Sequence, residues 1–575
     1  MLGFIFYLAG LGYTSPMVVS DLVRTLLAQR GVIEEEEVEK FLEPDYARDT
    51  HNPFLMVDMQ KAVERIFVAM EQNETIAIYS DFDCDGIPGA SVLYEFFMKI
   101  GYTKLQVYIP HRDREGYGLH IAAIDLLYEK GVTLMLTVDV GTVAFDAIAH
   151  AQNIGIDVIV TDHHEIIGEI PNAFALLNPK YKKENFVYPF PDLCGAGVAF
   201  KLVQACLITG KKNGDQRFTS IVEGWEKWLL DLVGIATVAD MVPLVGENRV
   251  LAFWGLVVLR RTQRVGLVAL CSRLKLRREH ITEEDIGFSI GPRINAASRM
   301  GNPHLAFELL TTHDPERAEE IVTELENLNA SRKGVVSAMV KDIKKRVKAR
   351  FTKDDTVIVL GDTDWRPALL GLAANSIMQE RGGVVCIWGR DSEGKLKGSC
   401  RSDGAITLPD LFTAGSHLFE SYGGHSASGG FAVSHERVHT LGEDLALVAQ
   451  SIPRIEKDTS SDISHDYIVS AREVSATLLK EIAQLAPYGM GNPKPTLRLA
   501  RVSISSFKKF GKENNHVEVS LHCPESNVSL RTFDFFRSPT SFTRTLVSGE
   551  TVDVLATIER DSYRGGVCLR LKDIV

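Results

Sequence analysis

The 575-residue sequence predicts an α/β protein: a parallel-sheet domain, a helical connector, a second α/β domain and a C-terminal β-barrel of OB type. Three observations carry this expectation. Between about residues 60 and 179, short apolar runs alternate with helical patterns, the rhythm of βαβ units on a parallel sheet. From about 245 to 350 the spacing is mostly helical. Beyond Asp458 about five short β-rich stretches follow one another within roughly a hundred residues, which suits a small barrel. Several folded units are expected in any case, because single cores stop growing near about 250–300 residues.

Taken in order, residues 1–59 form an N-terminal segment. It opens with the apolar stretch Met1 to Gly12, which lacks basic residues and is too short to span a bilayer; it reads as an extension, with a secretory signal as the alternative. Residues 60–248 carry the parallel sheet, with strands expected at Thr75 to Tyr79, Leu105 to Ile109, Thr133 to Val138, Asp157 to Val160 and Phe174 to Leu177. Lys61 to Met70 and Ser91 to Met98 have helical spacing. Residues 249–352 form the helical connector. Residues 353–457 return to strands at Thr356 to Leu360, Gly383 to Trp388 and Gly394 to Gly398, followed by the glycine-rich stretch Gly423 to Gly430. Residues 458–575 hold the barrel strands, expected at Thr496 to Ile504, His516 to His522, Val528 to Phe535, Val552 to Ile558 and Val567 to Leu571.

With 45% hydrophobic residues the chain can bury sizeable cores, and no later stretch is long and apolar enough for a membrane span, so a soluble protein is expected. The net charge of −12 speaks against a polyanionic partner, but clustered functional carboxylates lower that balance without saying where cations lie. Two basic concentrations stand out. One comprises Arg260, Arg261, Arg264, Arg273, Lys275, Arg277 and Arg278; the other Lys341, Lys344, Lys345, Arg346, Lys348 and Arg350. Either is equally well read as a solvated helix face. Eight cysteines are scattered singly with no Cys-x-x-Cys pair, which predicts reduced thiols in a cytosolic protein and argues against zinc or a disulfide framework.

The residues that carry chemistry fall at the ends of the predicted strands, where parallel sheets gather ligands. Asp81, Asp83 and Asp85 occupy alternate positions directly after the first run, followed by Gly86; Asp139 ends the third run, and Asp162-His163-His164 ends the fourth. Asp240 sits in the apolar setting Thr237-Val-Ala-Asp-Met-Val-Pro, where an unpaired carboxylate is costly. A lone aspartate before a loop is more often a turn former than a ligand, and adjacent histidines can be ordinary loop residues. The convergence of all of them on strand ends favours a cation site. Oxygen ligands with one or two imidazoles suit magnesium or manganese, and a pair of such ions is the arrangement that drives phosphoryl hydrolysis.

Other motifs fail. Gly195-Ala-Gly197 lacks the third glycine of a dinucleotide loop, His164-Glu165 has no second histidine at helical spacing, and no phosphate-binding loop of the Gly-x-x-x-x-Gly-Lys type occurs. Arg112, Arg293, Arg299, Ser399, Arg401 and His425 are candidate anion binders, some set among small residues that let backbone approach a phosphate. Each arginine has a structural alternative, since its stem covers apolar surface.

The ordered set Ser80-Asp-Phe-Asp-Cys-Asp-Gly, Ile109-Pro-His-Arg-Asp-Arg-Glu-Gly-Tyr-Gly, Val138-Asp-Val-Gly, Thr161-Asp-His-His, Leu193-Cys-Gly-Ala-Gly-Val-Ala-Phe, Ala236-Thr-Val-Ala-Asp-Met-Val-Pro-Leu, Gly291-Pro-Arg-Ile-Asn-Ala-Ala and Gly423-Gly-His resembles the RecJ family of the DHH phosphoesterase superfamily, from about Leu42 to the C-terminus. The resemblance implies a DHH catalytic domain facing a DHH-associated domain, and 5′-to-3′ hydrolysis of single-stranded DNA to 5′-mononucleotides in recombination and repair. It implies two Mn2+ or Mg2+ ions on Asp83, Asp85, Asp139, His163 and Asp240, with Asp139 as bridge. Asp81 and Asp162 become support, and His164 contacts the scissile phosphate or completes the metal shell. Arg112, Arg293, Arg299, Ser399, Arg401 and His425 become the phosphate grip. The barrel would track the strand through Lys508, Lys509 and Lys512 and stack bases on Phe507 and Phe510. A cytoplasmic monomer working with a single-strand-binding protein and a helicase is the implied setting. Arg366 stands where the family commonly has histidine, Ser298 where it commonly has glycine, and Val140 after Asp139 is less usual. The alternatives are a DHH-type phosphodiesterase of short oligonucleotides or cyclic dinucleotides, and a catalytically silent DNA-binding repair module.

Overall fold

The computed structural model describes residues 19–166, 168–183, 186–352, 354–455, 465–511, 514–561 and 565–575; the apolar start Met1 to Gly12 and Lys512 lie outside them. The chain divides into two compact units. The described parts of 51–242 and 254–457 make one, and those of 1–50, 243–253 and 458–575 make the other.

In the larger unit, β1 (Thr75–Ser80), β2 (Leu105–Tyr108), β3 (Val132–Val138), β4 (Asp157–Thr161) and β5 (Ala175–Leu177) form an all-parallel sheet of order β2-β1-β3-β4-β5. Its strands are continuous apolar runs because both faces are covered. Helices Ile121–Glu129 and Phe145–Asn153 bury Ile124, Leu127 and Ile148 against Tyr79, Met135 and Val160 on one face. Helices Gly86–Lys99 and Gly195–Lys212 pack on the other. Each strand lies within a few residues of its expected place.

The helical connector is organised by Pro315–Arg350, a 36-residue helix. Its N-cap Asp314 accepts from the backbone N–H groups of Glu316 and Arg317, and proline occupies the first turn, where no N–H is needed. This helix touches helices Val265–Arg273, Gly291–Arg299, Pro303–Thr311 and Pro367–Arg381, so it ties the two α/β parts of the unit together. Much of the basic character noted above is consumed here. Arg264 is buried between Asp231 (3.0 Å) and Glu95 (3.1 Å), Arg260 and Arg278 donate to the backbone carbonyls of Ile281 and Thr262, Arg346 pairs with Asp342 and Asp362, and Lys344 pairs with Glu380.

A second sheet, β6 (Val357–Gly361), β7 (Val384–Arg390), β8 (Leu396–Ser402), β9 (Ser421–Gly424) and β10 (Ser428–Val433), runs in the order β6-β7-β8-β10-β9; only β6 and β7 are parallel. The glycine-rich stretch is therefore the hairpin of β9 and β10. One expectation is corrected. Cys386 and Cys400 are directly opposed on β7 and β8 and form a disulfide, while the other six cysteines are free. Strand register made that pair, which sequence spacing cannot display.

In the smaller unit, β11 (Tyr467–Ile468), β12 (Leu497–Phe510), β13 (His516–Cys523), β14 (Val528–Asp534), β15 (Thr551–Arg560) and β16 (Val567–Ile574) are joined in the order β11-β12-β13-β14-β16-β15, and β15 pairs back to β12, closing a five-stranded barrel. β12 extends to Phe510, beyond the expected end at Ile504, by staying paired with β13 through Lys508 and Lys509. Helices Asp21–Ala28 and Glu35–Leu42 place Leu22, Leu26 and Val38 in the barrel's core. Arg249 seals this packing, with its guanidinium 3.7 Å from the Phe41 ring centroid and donating to the carbonyls of Phe41, Leu485 and Ala486.

Replacing Arg264 by Leu strands two buried carboxylates, so urea unfolding should show a loss of about 3–5 kcal/mol; a loss below about 1 kcal/mol would place this ion network among the dispensable ones.

Candidate metal centre and phosphate pocket

In the larger unit's parallel sheet the chain leaves β1 for β2 on one side and continues at β3 on the other, so the carboxyl ends of β1 and β3 flank a topological switch point. Asp81, Asp83 and Asp85 follow β1, Asp139 follows β3, and Asp162, His163 and His164 follow β4. Asp240 arrives from elsewhere, capping the C-terminus of helix Leu230–Ala239.

Each side chain is held by identifiable contacts. Asp83 Oδ1 accepts the backbone N–H groups of Asp85 (2.8 Å) and Gly86 (3.2 Å), which turns the loop into its helix. Asp85 accepts from Gly195 N (2.6 Å) and Ala196 N (2.7 Å), the positive end of helix Gly195–Lys212. A side chain at Gly195 would put its Cβ 2.6 Å from Asp139 Cβ, so only glycine allows this approach. The Gly195-Ala-Gly197 segment that fails as a dinucleotide loop thus cradles a carboxylate. Asp139 adopts φ +61°, donates to Thr161 O (2.9 Å) and accepts Tyr117 Oη–H at its carbonyl (3.2 Å). Asp162 is fully engaged: it accepts from His163 N (2.7 Å), His164 N (3.2 Å), His164 Nδ1 (2.7 Å) and Thr142 N (2.8 Å). It positions both histidines and has little left to offer an ion.

Asp139 Oδ1 and Asp81 Oδ1 are buried and accept no hydrogen bond. His163 Nε2 lies 3.1 Å from Asp139 Oδ1, 3.6 Å from Asp85 Oδ2 and 3.7 Å from Asp240 Oδ2. Three overlapping trios have ligand atoms within 4.8 Å of one another: Asp85, His163 and Asp240; Asp81, Asp83 and Asp139; and Asp139, His163 and His164. Asp139 and His163 each belong to two of them. Asp81, expected as support, thus stands at ligand spacing.

Burial raises the carboxyl pKa values here, and the neighbouring carboxylates raise them further. Asp85 is pushed up to about 7 and Asp240 to about 9, while Asp81 and Asp139 stand well above the usual range. Burial, then the charge of His164, pushes His163 down to about 3, which leaves its imidazole neutral and able to ligate. Asp162 behaves oppositely: burial opposes its ionisation, but the hydrogen bond and charge of His164 prevail and hold it below the carboxylate range. Orphaned buried oxygens, crowded carboxylates and a neutral imidazole fit a hard divalent cation bound through oxygen and nitrogen.

The anion candidates separate into two groups. Arg112 lies over the Phe82 ring (4.6 Å), between the first two aspartates in sequence, and Arg299 donates to Ala368 O (2.7 Å). Burial, then the charges of Arg112, Arg332 and Arg401, push Arg299 down to about 9, and burial, then Arg112, lowers Arg401. Among the described residues none of these four arginines has a carboxylate partner. Ser399 and Arg401 alternate on β8, and Gly371 makes room for both, since a Cβ there would meet Arg401 Nη2 at 2.7 Å and Ser399 Oγ at 3.1 Å. By contrast Arg293 is committed to Glu326 (2.7 Å) and Ser289 O. His425 sits at the β9–β10 turn with its ring 6.3 Å from that of His164. Arg366 reaches Asp113 at 3.5 Å, and buried Ser298 donates to Asn295 O. Sequence reasoning missed Arg332, which lay outside every motif, Tyr117, and Asn295, whose Oδ1 accepts Cys84 N (3.1 Å). The latter two were inside quoted motifs.

Two family models match the chain: the N-terminal domain of the DHH family over residues 75–237, and the RecJ OB domain over residues 465–573. The single-stranded-DNA-specific exonuclease RecJ of Bacillus subtilis is 34% identical over 519 residues, 90% of this chain and 63% of that protein. That of Haemophilus influenzae is 31% identical over 496 residues, 84% of each chain. The crystal structure of RecJ in complex with Mn2+ from Thermus thermophilus has the same fold, with a TM-score of 0.79 at 23% identity, covering 97% of this chain and 76% of that one.

Unfolded carboxylates ionise near about 4, whereas Asp85 and Asp240 do so near 7 and 9 in the fold. Raised carboxyl pKa values mean that the metal-free protein loses stability as pH climbs through that window. The rise in melting temperature produced by Mn2+ should therefore grow with pH, and a pH-independent gain would disconnect these groups from the ion. Gly195→Ala should weaken Mn2+ binding at least tenfold by calorimetry, roughly the cost of displacing one ligand's support.

Proposed function

Since the chain belongs to the RecJ family of single-stranded-DNA-specific exonucleases, we propose that it hydrolyses single-stranded DNA from the 5′ end to 5′-mononucleotides, using two Mn2+ or Mg2+ ions held by Asp83, Asp85, Asp139, His163 and Asp240. The observation that carries this reading is the meeting of two incomplete charge systems in one unit: buried carboxylate oxygens that lack donors, and Arg112, Arg299, Arg332 and Arg401, which have no carboxylate ion pair among the described residues. A cation satisfies the first and a phosphate the second. A phosphodiester brings its own charge to the arginines and its reactive phosphorus to the centre.

When bound, the ions supply Lewis acidity and an activated water. The chain's own residues do the rest. Asp139, whose Oδ1 accepts no hydrogen bond and which belongs to two ligand trios, is the residue that would be shared between two ions. His164 has Nδ1 on Asp162 and a raised pKa, in which the Asp162 hydrogen bond overcomes burial, so its second nitrogen can donate to a phosphate oxygen. Arg112, Arg299, Ser399 and Arg401 hold the terminal phosphate and fix the reading end, with Arg332 among them. Arg293, already paired with Glu326, is the candidate with least left for a phosphate. His425 closes over His164.

In this reading residues 60–248 carry the chemistry, 249–352 the connection, 353–457 the phosphate grip and 458–575 strand tracking. On this reading the protein works in the cytoplasm as a monomer serving recombination and repair. A helicase that opens duplex and a single-strand-binding protein on the exposed strand are the companions this reading proposes. No helix among the described residues is long and apolar enough to cross a membrane.

Digestion of a long strand labelled at either end, with and without Mn2+, tests polarity, metal dependence and substrate class together; exclusive cleavage of dinucleotides would overturn the reading. Asp139→Ala should reduce turnover at least a thousandfold, or about 4 kcal/mol of barrier, while strand binding in the absence of metal persists. Arg401→Ala should weaken binding of a 5′-phosphorylated strand and lower the slope of log affinity against log salt by about 0.7, the value for one single-strand phosphate contact.

A further inference from the structure

The barrel unit carries an aromatic array that the expected stacking residues do not explain. Phe507 packs half-buried on the barrel's core. Phe510, at the end of β12, instead begins a chain of rings: its centroid is 5.1 Å from His516 and 6.0 Å from Phe535, His516 is 5.2 Å from Phe535 and 4.9 Å from Phe536, and Phe533 is 5.3 Å from Phe535. The array ends in solvent, with Phe535 41% and Phe536 81% exposed.

The segment that presents these two rings is built, not loose. Phe535 N donates to Asp534 Oδ1 (2.9 Å) and Phe536 N donates to His516 Nδ1 (3.0 Å). Phe536 adopts φ +57°, a left-handed conformation that a bulky side chain rarely takes and that persists only when its surroundings enforce it. The chain therefore accepts both backbone strain and the exposure of a large apolar ring.

The chemistry around the array decides what covers it. Every member of the array is a ring. Asp534 is engaged by Phe535 N, Arg537 (3.4 Å) and Arg570 (3.7 Å), and Glu518 by Lys508 (3.4 Å) and Arg531 (3.1 Å). Arg570 also lies over the Phe535 ring (5.7 Å). What faces outward is flat aromatic surface whose neighbouring charges are already paired with one another. A partner with flat π-faces fits it, as the bases of a single strand do.

We propose that Phe536, held by His516 and backed by Phe535, is a base-stacking residue for single-stranded DNA on the barrel. The assignment rests on the exonuclease reading for the identity of the strand and names the contact that reading leaves open.

Binding is measured on the full chain in EDTA, so that the result does not depend on hydrolysis, with an oligothymidylate of about 16 nucleotides carrying one 2-aminopurine. Wild-type protein should quench the 2-aminopurine. Phe536→Ala should raise the dissociation constant about fivefold or more, the low end for one base–aromatic stack, reduce the quench, and leave the salt slope unchanged because no charge is lost. Phe536→Gly should weaken binding equally while raising the melting temperature, since glycine relieves the left-handed strain. Wild-type affinity, within about twofold, in both variants overturns the assignment, as does Phe536→Gly with weaker binding but a lowered melting temperature, which would make the ring a structural support. Wild-type protein that neither binds nor degrades a single strand would instead overturn the exonuclease reading itself.

Discussion

Like-charged carboxylates a few ångströms apart in a water-poor pocket repel one another by about 4 kcal/mol per pair at ~4 Å and an effective dielectric of ~20. The larger unit gathers Asp81, Asp83, Asp85, Asp139 and Asp240 in one such place. Much of its architecture answers that repulsion. The switch point of the sheet brings two strand ends together, a helix N-terminus points its N–H groups at Asp85, and Asp162 spends one carboxylate oxygen on the two histidines and the other on the backbone of Thr142. Even the left-handed backbone at Asp139 serves to turn a carboxylate inward. What remains uncompensated is a set of oxygens whose natural partner is a cation.

The catalytic sheet was legible because its strands are buried on both faces and read as unbroken apolar runs, each ended by the polar residues that matter. Asp139 and His163 could be picked out for that reason. Other parts were hidden for physical reasons. The hairpin of β9 and β10 is written in glycines, which carry no strand signal, and the length of β12 is concealed by lysines on its open face. Cys386 and Cys400 are fourteen residues apart in sequence and neighbours only through register. Gly195 looked like part of a failed nucleotide loop, because what it accommodates is a side chain more than fifty residues earlier.

Arginine count was a poor guide to anion binding, and partnership a better one. Arg264, Arg293 and Arg346 carry the same side chain as Arg112 and Arg401, but each already has its carboxylate. The residues left without one carry the burial cost of a guanidinium unrewarded, visible in the lowered pKa values of Arg299, Arg332 and Arg401. A bound phosphate would offset that cost. Arg332 shows that the sorting can find what motif reading passes over.

The contact between Asp85 and the start of helix Gly195–Lys212 is made by main-chain N–H groups of residues 195 and 196, not by their side chains. Sequence drift along most of that helix can therefore change surface chemistry without touching the ligand. A one-residue insertion or deletion just before Gly195 is different in kind: it would rotate the helix start by about 100° and withdraw both donors at once. The metal centre is thus encoded partly as a count of residues rather than as a list of them, and its loss in a diverged copy could leave every aspartate and histidine in place.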